Sequence, residues 1–239
     1  MLTVNPSLRQ NLVVRLNSPQ GISISSPWDA GFLPIEVILQ YEGPLPSAQS
    51  SNAKRRRRTK ERMQRIFHEQ LMNVWKTVMP LRKFWDGAGR FHFPQEKLPN
   101  LEPPAWNSRR IGKNFWFVPL VMTGRYLKLI CKLEVGLLSR DEPGMIVNGG
   151  DLDNRVKVLL DALTLPQPNA WKRRKPRADE MPVFCLLEDD HLITEFSVKT
   201  SRLHRPLRKG EKATDVELRI TATVDASDQS AWPLNPSLL

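Results

Sequence analysis

The stretch GGDLDNRVKVLLDAL, residues 149–163, places two aspartates at the start of an amphipathic helix. We expect Asp151 to lie in an extended lead-in and Asp153 at the N-cap, so that both side chains share one face. Two carboxylates this close repel each other unless a cation or a proton joins them. The apolar residues recur at helical spacing and are expected to face inward: Leu152, Val156, Leu159, Leu160 and Leu163.

A second acidic cluster, Glu188-Asp189-Asp190, follows the apolar run FCLL. A hard divalent ion such as Mg²⁺ takes few protein carboxylates and completes its shell with water and phosphate oxygens. A ligand from this cluster could reach the first aspartate pair. The simpler alternative, in which Asp153 is only an N-cap and Asp151 a solvated loop residue, stays open on spacing alone.

Lys157 and Asp161 follow Asp153 at intervals of four residues, on one polar face of the same helix. The three side chains can form a ladder of weak ion pairs. Alternatively, Lys157 contacts a scissile phosphate or orients a water molecule, and Asp161 holds its ammonium group. The spacing is compatible with both interpretations.

The formal net charge of +11 is concentrated in two runs. KRRRRTKER, residues 54–62, and KRRKPR, residues 172–177, together account for all of it, and the rest of the chain is balanced. When Lys and Arg side chains contact phosphates, they release the counterions condensed on the polyanion, and this release favours binding. Such runs are therefore typical of segments that bind a polyanion. One run alone would more simply be a solvated surface segment, but two favour a nucleic-acid partner.

The two cysteines, Cys131 and Cys185, are far apart and have no metal-ligand spacing, which argues against a disulfide framework or a structural zinc site. No apolar run approaches the roughly 18 residues that span a bilayer, and the N-terminus does not have the pattern of a signal peptide. We therefore expect a cytoplasmic protein without a membrane partner.

The periodicity along the chain predicts the order strand, helix, strand, strand, helix, strand, strand. We expect an α/β (α+β) fold, a single mixed sheet with helices packed mainly on one face. Residues 115–122 and 126–135 are expected to form a hairpin. Residues 35–224 would form one domain, with insertions at about 80–115 and 164–182. It would lie between a loosely ordered extension, 1–34, and a flexible tail, 225–239.

GDLDNRVKVLLDAL followed by LEDDHLITEFSVK resembles the RusA family of crossover junction endodeoxyribonucleases. The signature of that family is a D-[LIV]-D-N-x-x-K-x-x-x-D-A-L helix followed by a [DE]-D-x-x-[IV] strand. The order of elements over 35–224 fits as well, although close motif matching covers only about 151–163 and 187–198. The insertion at 164–182 departs from the short turn that is usual in the family.

The resemblance implies a RusA-like fold and a homodimer that hydrolyses phosphodiester bonds in four-way (Holliday) junctions during recombination and repair. It implies Mg²⁺ as cofactor, with Mn²⁺ as a substitute. Asp151, Asp153 and Asp190 would bind the metal, with Asp189 as an alternative ligand, and Lys157 would be the catalytic lysine. Asn154 and Asp161 would position these groups. The expected DNA-binding residues are Lys54, Arg55, Arg56, Arg57, Arg58, Lys172, Arg173, Arg174, Lys175 and Arg177.

Two other functions remain compatible with the sequence. The first is a DNA-binding protein that keeps the fold without nuclease activity. The second is a metal-dependent nucleotide enzyme, against which the two basic runs argue.

Overall fold

The computed structural model describes residues 34–49, 52–78, 81–84, 117–123, 129–141, 152–165 and 182–227 of the 239-residue chain. The expected N-terminal extension, the two insertions and the C-terminal tail lie almost entirely outside these ranges. Three groups of expected site residues lie outside them as well, namely Asp151, Lys172–Lys175 and Arg177.

The first helix, α1, spans Ala53–Thr77. It begins where the Asn52 side chain accepts a hydrogen bond from the backbone N–H of Arg55 (2.8 Å), which satisfies one of the free donors of the first turn. Its inward face is an apolar stripe at helical spacing, in which Met63, Phe67 and Leu71 are fully buried. A short 3₁₀ turn, Leu81–Phe84, follows the helix.

Four strands form a mixed sheet: β1 (Ile35–Pro44), β3 (Leu129–Ser139), β5 (Ile193–Arg202) and β6 (Asp215–Ala226). Their order across the sheet is β1-β6-β3-β5. β6 pairs antiparallel with both β1 and β3, whereas β3 and β5 are parallel. Alternate residues of β1, β3 and β6 point into the core, as their period-two patterns predict.

The two remaining strands, β2 (Phe117–Val121) and β4 (Val183–Leu187), form a separate parallel pair. Every residue of both strands is buried, as expected of strands covered on both faces. The α/β class is confirmed, but these strands form a second sheet instead of extending the first. The expected hairpin between residues 115–122 and 126–135 is wrong, because β2 and β3 belong to different sheets.

The second helix, α2, spans Leu152–Leu163 and packs beside α1. Leu159 and Leu163 are buried as expected, together with Val158 and Ala162, and Val156 and Leu160 are half-buried. The expectation that Leu152 faces inward is wrong, because its side chain is 43% exposed. Both helices and the two-stranded sheet share one core with the inner face of the four-stranded sheet. Among the described helices, none is long and apolar enough to span a bilayer.

Candidate active site

The first turn of α2 carries Asp153 as the second residue of the helix, two positions beyond the N-cap, so the expectation that Asp153 is the N-cap is wrong. Its side chain is exposed, and its Oδ1 accepts a hydrogen bond of 3.4 Å from the amide of Asn154. A carboxylate in the first turn interacts favourably with the helix dipole. Asp153 is therefore a solvent-facing anion at the positive end of α2.

The first turn of α2 is tied to the loop that follows β1. The backbone N–H of Ala48 donates to the carbonyl oxygen of Asn154 at 3.1 Å. Asn52, which caps α1, is four residues further along the chain, a reach of at most about 14 Å. The N-terminal ends of α1 and α2 therefore lie at the same end of the molecule.

Lys157 and Asp161 are exposed on the polar face of α2, as the spacing predicts. Within the described residues, no ion pair joins Lys157 to Asp153 or Asp161. Instead, Asp161 Oδ2 lies 3.4 Å from Lys60 Nζ, which belongs to the basic run of α1. This contact crosses 101 positions of the chain and brings that run alongside α2.

The basic run occupies the first turns of α1, where Lys54, Arg55, Arg57 and Arg58 are exposed and Arg56 is half-buried. No acidic residue stands in the first turn of this helix. Cations at a helix N-terminus oppose the dipole, at a cost of a few tenths of a kcal/mol or more each. Within the helix, Arg57 forms an ion pair with Glu61, at 3.7 Å.

The second acidic cluster lies where the chain leaves β4 for β5. Glu188 has a structural role, because its Oε2 accepts a hydrogen bond from the backbone N–H of Thr123 at 2.8 Å. Its own N–H donates to the carbonyl of Val121 at 2.8 Å, which joins the ends of β2 and β4.

Asp189 caps the 3₁₀ turn Asp190–Leu192 and accepts a hydrogen bond from the backbone N–H of His191 at 3.1 Å. Its Oδ1 also lies 2.9 Å from His191 Nδ1. Hydrogen bonds from the side chain and backbone of His191 hold the pKa of the Asp189 carboxyl below its usual value. Asp190 is exposed beside it. Of the three acidic neighbours, Asp190 is thus the one that neither caps the turn nor bonds to the β2 end.

The end of β4 is anchored beside the C-terminal end of α2, through the hydrogen bond from Leu165 N–H to the Leu187 carbonyl (2.9 Å). Asp153 is eleven positions before Thr164, or about 16 Å along the helix axis, and no hydrogen bond or ion pair among the described residues joins it to Asp190. Asp153 and Asp190 offer the carboxylate oxygens that Mg²⁺ prefers. Over the described ranges, however, no group of three His, Cys, Asp or Glu side chains could hold a metal ion.

Sequence reasoning missed Lys60 as the residue that connects the two helices. It belongs to the basic run, but no local pattern links it to a position 101 residues away. No protein-family model matches the chain, and no curated protein matches it at a significant level.

Proposed function

We propose that this chain is an endodeoxyribonuclease that hydrolyses phosphodiester bonds in branched DNA with Mg²⁺ as cofactor. The observation that carries the proposal is the Lys60–Asp161 contact, which brings the basic run of α1 beside the helix bearing Asp153 and Lys157. The cations that would bind the DNA backbone then lie next to Asp153 and Lys157, the residues that would take part in phosphodiester hydrolysis. This function also accounts for the unfavourable charge at the start of α1, because bound phosphates would offset it.

Each residue has a role that its chemistry permits. Asp151, Asp153 and Asp190 are the proposed metal-binding carboxylates, and a bound Mg²⁺ would supply an activated water and charge stabilisation of the leaving oxygen. Lys157 would contact a nonbridging oxygen of the scissile phosphate. The α1 cations would hold the backbone of the substrate so that this phosphate stays in place.

A DNA-binding protein without nuclease activity is the second candidate. The exposed cations of α1 favour it, since they suffice for backbone contacts and need no carboxylate. The two candidates differ in their dependence on Asp153, which contributes to catalysis in the first and has no part in the second.

The deciding experiment incubates the purified chain with a synthetic four-way junction, a matched duplex and a single strand, in Mg²⁺ or EDTA. We expect symmetric nicks on the junction that disappear in EDTA. Asp153→Asn should abolish cleavage while DNA binding is kept or strengthened, because one negative charge is removed. The Asp153 side chain is exposed, so this substitution removes no buried contact and the variant should fold.

Glu134→Gln is the matched control, because it removes one exposed carboxylate from the outer face of the four-stranded sheet. We expect this variant to cut at the wild-type rate. Binding without cleavage by the wild type in Mg²⁺ and in Mn²⁺ would favour the second candidate. Cleavage that persists in Asp153→Asn would contradict the role given to this residue.

A further inference from the structure

The connection from β1 to α1, residues 45–52, contacts the candidate active site. The backbone N–H of Ala48 donates to the carbonyl oxygen of Asn154 in the first turn of α2, and Asn154 is the residue next to Asp153. Asn52, at the other end of the connection, caps α1 and so begins the helix that carries the basic run. One short segment therefore holds the first turn of α2 and starts α1.

The beginning of this connection is fixed at the end of β1. Tyr41 is buried, and its hydroxyl group donates to the carbonyl oxygen of Pro44 at 2.8 Å. Burial raises the pKa of Tyr41 to about 12, so the hydroxyl keeps its proton and remains a donor. Gly43 lies between the two residues with a φ of 146°, which favours glycine, and a Cβ there would lie 2.9 Å from the Tyr41 hydroxyl oxygen. The chain therefore leaves β1 in one defined direction.

Ser47 is a buried polar residue in the middle of the connection, and only 6% of its surface is exposed. Its hydroxyl oxygen accepts a hydrogen bond from the backbone N–H of Gln49 at 3.2 Å. A serine that bonds to the N–H two residues further on closes a tight turn. The residue inside this turn is Ala48, which packs partly buried against the core and donates its N–H to α2. The Ser47 hydroxyl therefore orders the backbone that holds Asn154.

The Ala48 bond is better suited to place Asp153 than the ion pair further along α2. That ion pair, between Lys60 and Asp161, is 3.4 Å long, and its side chains are 31% and 53% exposed. Exposed pairs of this kind are screened by solvent and contribute little. Asp161 also lies more than two turns beyond Asp153, whereas the Ala48 bond reaches the adjacent residue at 3.1 Å. The position of Asp153 relative to α1 thus depends mainly on the connection.

We propose that Ser47 is a positioning residue of the candidate active site. Through the turn at Ala48, its hydroxyl holds the first turn of α2, and with it Asp153, against the start of α1. Since the Ser47 side chain is buried, it acts through the backbone and not by contact with DNA. This role rests on the proposed nuclease function, in which Asp153 takes part in hydrolysis.

Ser47→Ala removes the hydroxyl group, and single-turnover cleavage of the four-way junction in Mg²⁺ measures the consequence. A displacement of about 1 Å at a reacting group can cost about a hundredfold in rate, so we expect cleavage to slow about tenfold or more. The dissociation constant for the junction should stay unchanged, because the cations of α1 remain exposed. Ser47→Thr keeps the hydroxyl and should retain most of the wild-type rate. Ser201→Ala, at an exposed position of β5, is the matched control and should behave as wild type.

Amide hydrogen exchange, followed by NMR, measures the position of the connection without any reference to activity. In Ser47→Ala, the Ala48 N–H should exchange about fivefold faster or more, as expected when a hydrogen bond is weakened. The N–H of Gln40 in β1, which donates to the side chain of Gln70, is the internal control and should exchange as in the wild type. If Ser47→Ala were destabilised as a whole, Ser47→Val and Ser47→Thr would repeat the comparison. These two side chains have nearly the same volume and differ in the hydroxyl group.

Equal cleavage rates of wild type and Ser47→Ala would overturn the proposal, and so would unchanged exchange of the Ala48 amide. A slower rate accompanied by an equal loss of DNA affinity would also overturn it, because the hydroxyl would then affect binding. A wild type that cuts no DNA would refute the nuclease function instead. The exchange measurement would still decide whether Ser47 holds the first turn of α2.

Discussion

Gln70 is a polar residue on the buried side of α1, and its amide satisfies both backbone groups of Gln40. Leaving a buried donor or acceptor without a partner costs about 1–3 kcal/mol. We expect Gln70→Leu, which nearly keeps the side-chain volume, to lower the free energy of unfolding by about 1–3 kcal/mol. Urea denaturation measures this change.

The neighbouring exposed residue provides the control for that measurement. Glu69→Gln removes no buried contact and should alter the free energy of unfolding by less than about 0.5 kcal/mol. Equal effects of the two substitutions would show that the Gln70–Gln40 pair contributes nothing to stability.

His68 plays a similar part on the other side of α1. Its Nδ1 accepts a hydrogen bond from the backbone N–H of Phe184 in β4 at 3.0 Å, and the two rings stack at 5.8 Å. Gln70 and His68 thus fix one helix to β1 of the large sheet and to β4 of the small one. Side-chain amides and imidazoles with these tasks look like ordinary polar residues in a sequence, so neither contact could be predicted.

At the scale of elements, the connection between β5 and β6 is held by an ion-pair network around Glu211. Arg205 donates to both carboxylate oxygens of Glu211, at 2.7 and 3.0 Å, and Arg140 donates to one of them at 3.0 Å. The Arg205 guanidinium also contacts Glu217 in β6 at 2.6 Å. Glu211 therefore joins the end of β3 to Arg205 in the connection, and Arg205 passes the link on to Glu217 in β6.

This network predicts a pH-dependent stability. Hydrogen bonds from Arg205, from the backbone of Arg208 and from Arg140 lower the pKa of Glu211 from 4.5 to about 2. A depressed pKa means that the folded state favours the ionised form. The contribution of Glu211 to stability is therefore fully present above pH 4.5 and is lost as the pH falls towards 2.

Glu211→Gln should accordingly destabilise the protein at pH 6 and have a progressively smaller effect as the pH falls below about 4.5. Thermal or urea unfolding of both proteins at about pH 6, 4 and 3 measures the difference. A gap between wild type and variant that stays constant over this range would contradict the assigned pKa.

The elements themselves were largely predictable, because each has a regular local pattern. Alternating residues identify β1, β3 and β6, and the apolar stripe of α1 identifies that helix. The pairing of β2 was not predictable in this way. Its five residues are all apolar, and a continuous apolar run shows that a strand is buried without showing which strand it pairs with.

The candidate site was predictable to a similar extent. The four-residue spacing sets Asp153, Lys157 and Asp161 on one exposed face of α2, as expected. Spacing along a helix carries no information on what lies across from that face. The Lys60–Asp161 contact and the use of Glu188 to join β2 and β4 depend on tertiary packing and are visible only in the structure.

At the scale of the whole molecule, the fold places part of the excess positive charge on α1. The start of this helix carries part of the net charge of +11, and its exposed cations lie at the same end of the molecule as the first turn of α2. If these cations contact DNA phosphates, binding must weaken with salt, because each contact releases counterions.

Arg55→Gln combined with Arg58→Gln tests this expectation. The slope of log binding constant against log salt concentration should flatten by about 0.9 for each phosphate that is no longer neutralised, or about 1.8 for both. Lys209→Gln with Lys212→Gln removes the same charge from the exposed connection between β5 and β6 and should leave the slope nearly unchanged. Equal slopes for the two double variants would mean that DNA senses only the net charge, and α1 would then lose its assigned role. Removing cations from the start of a helix should also stabilise the free protein slightly, so a fall in affinity could not be attributed to unfolding.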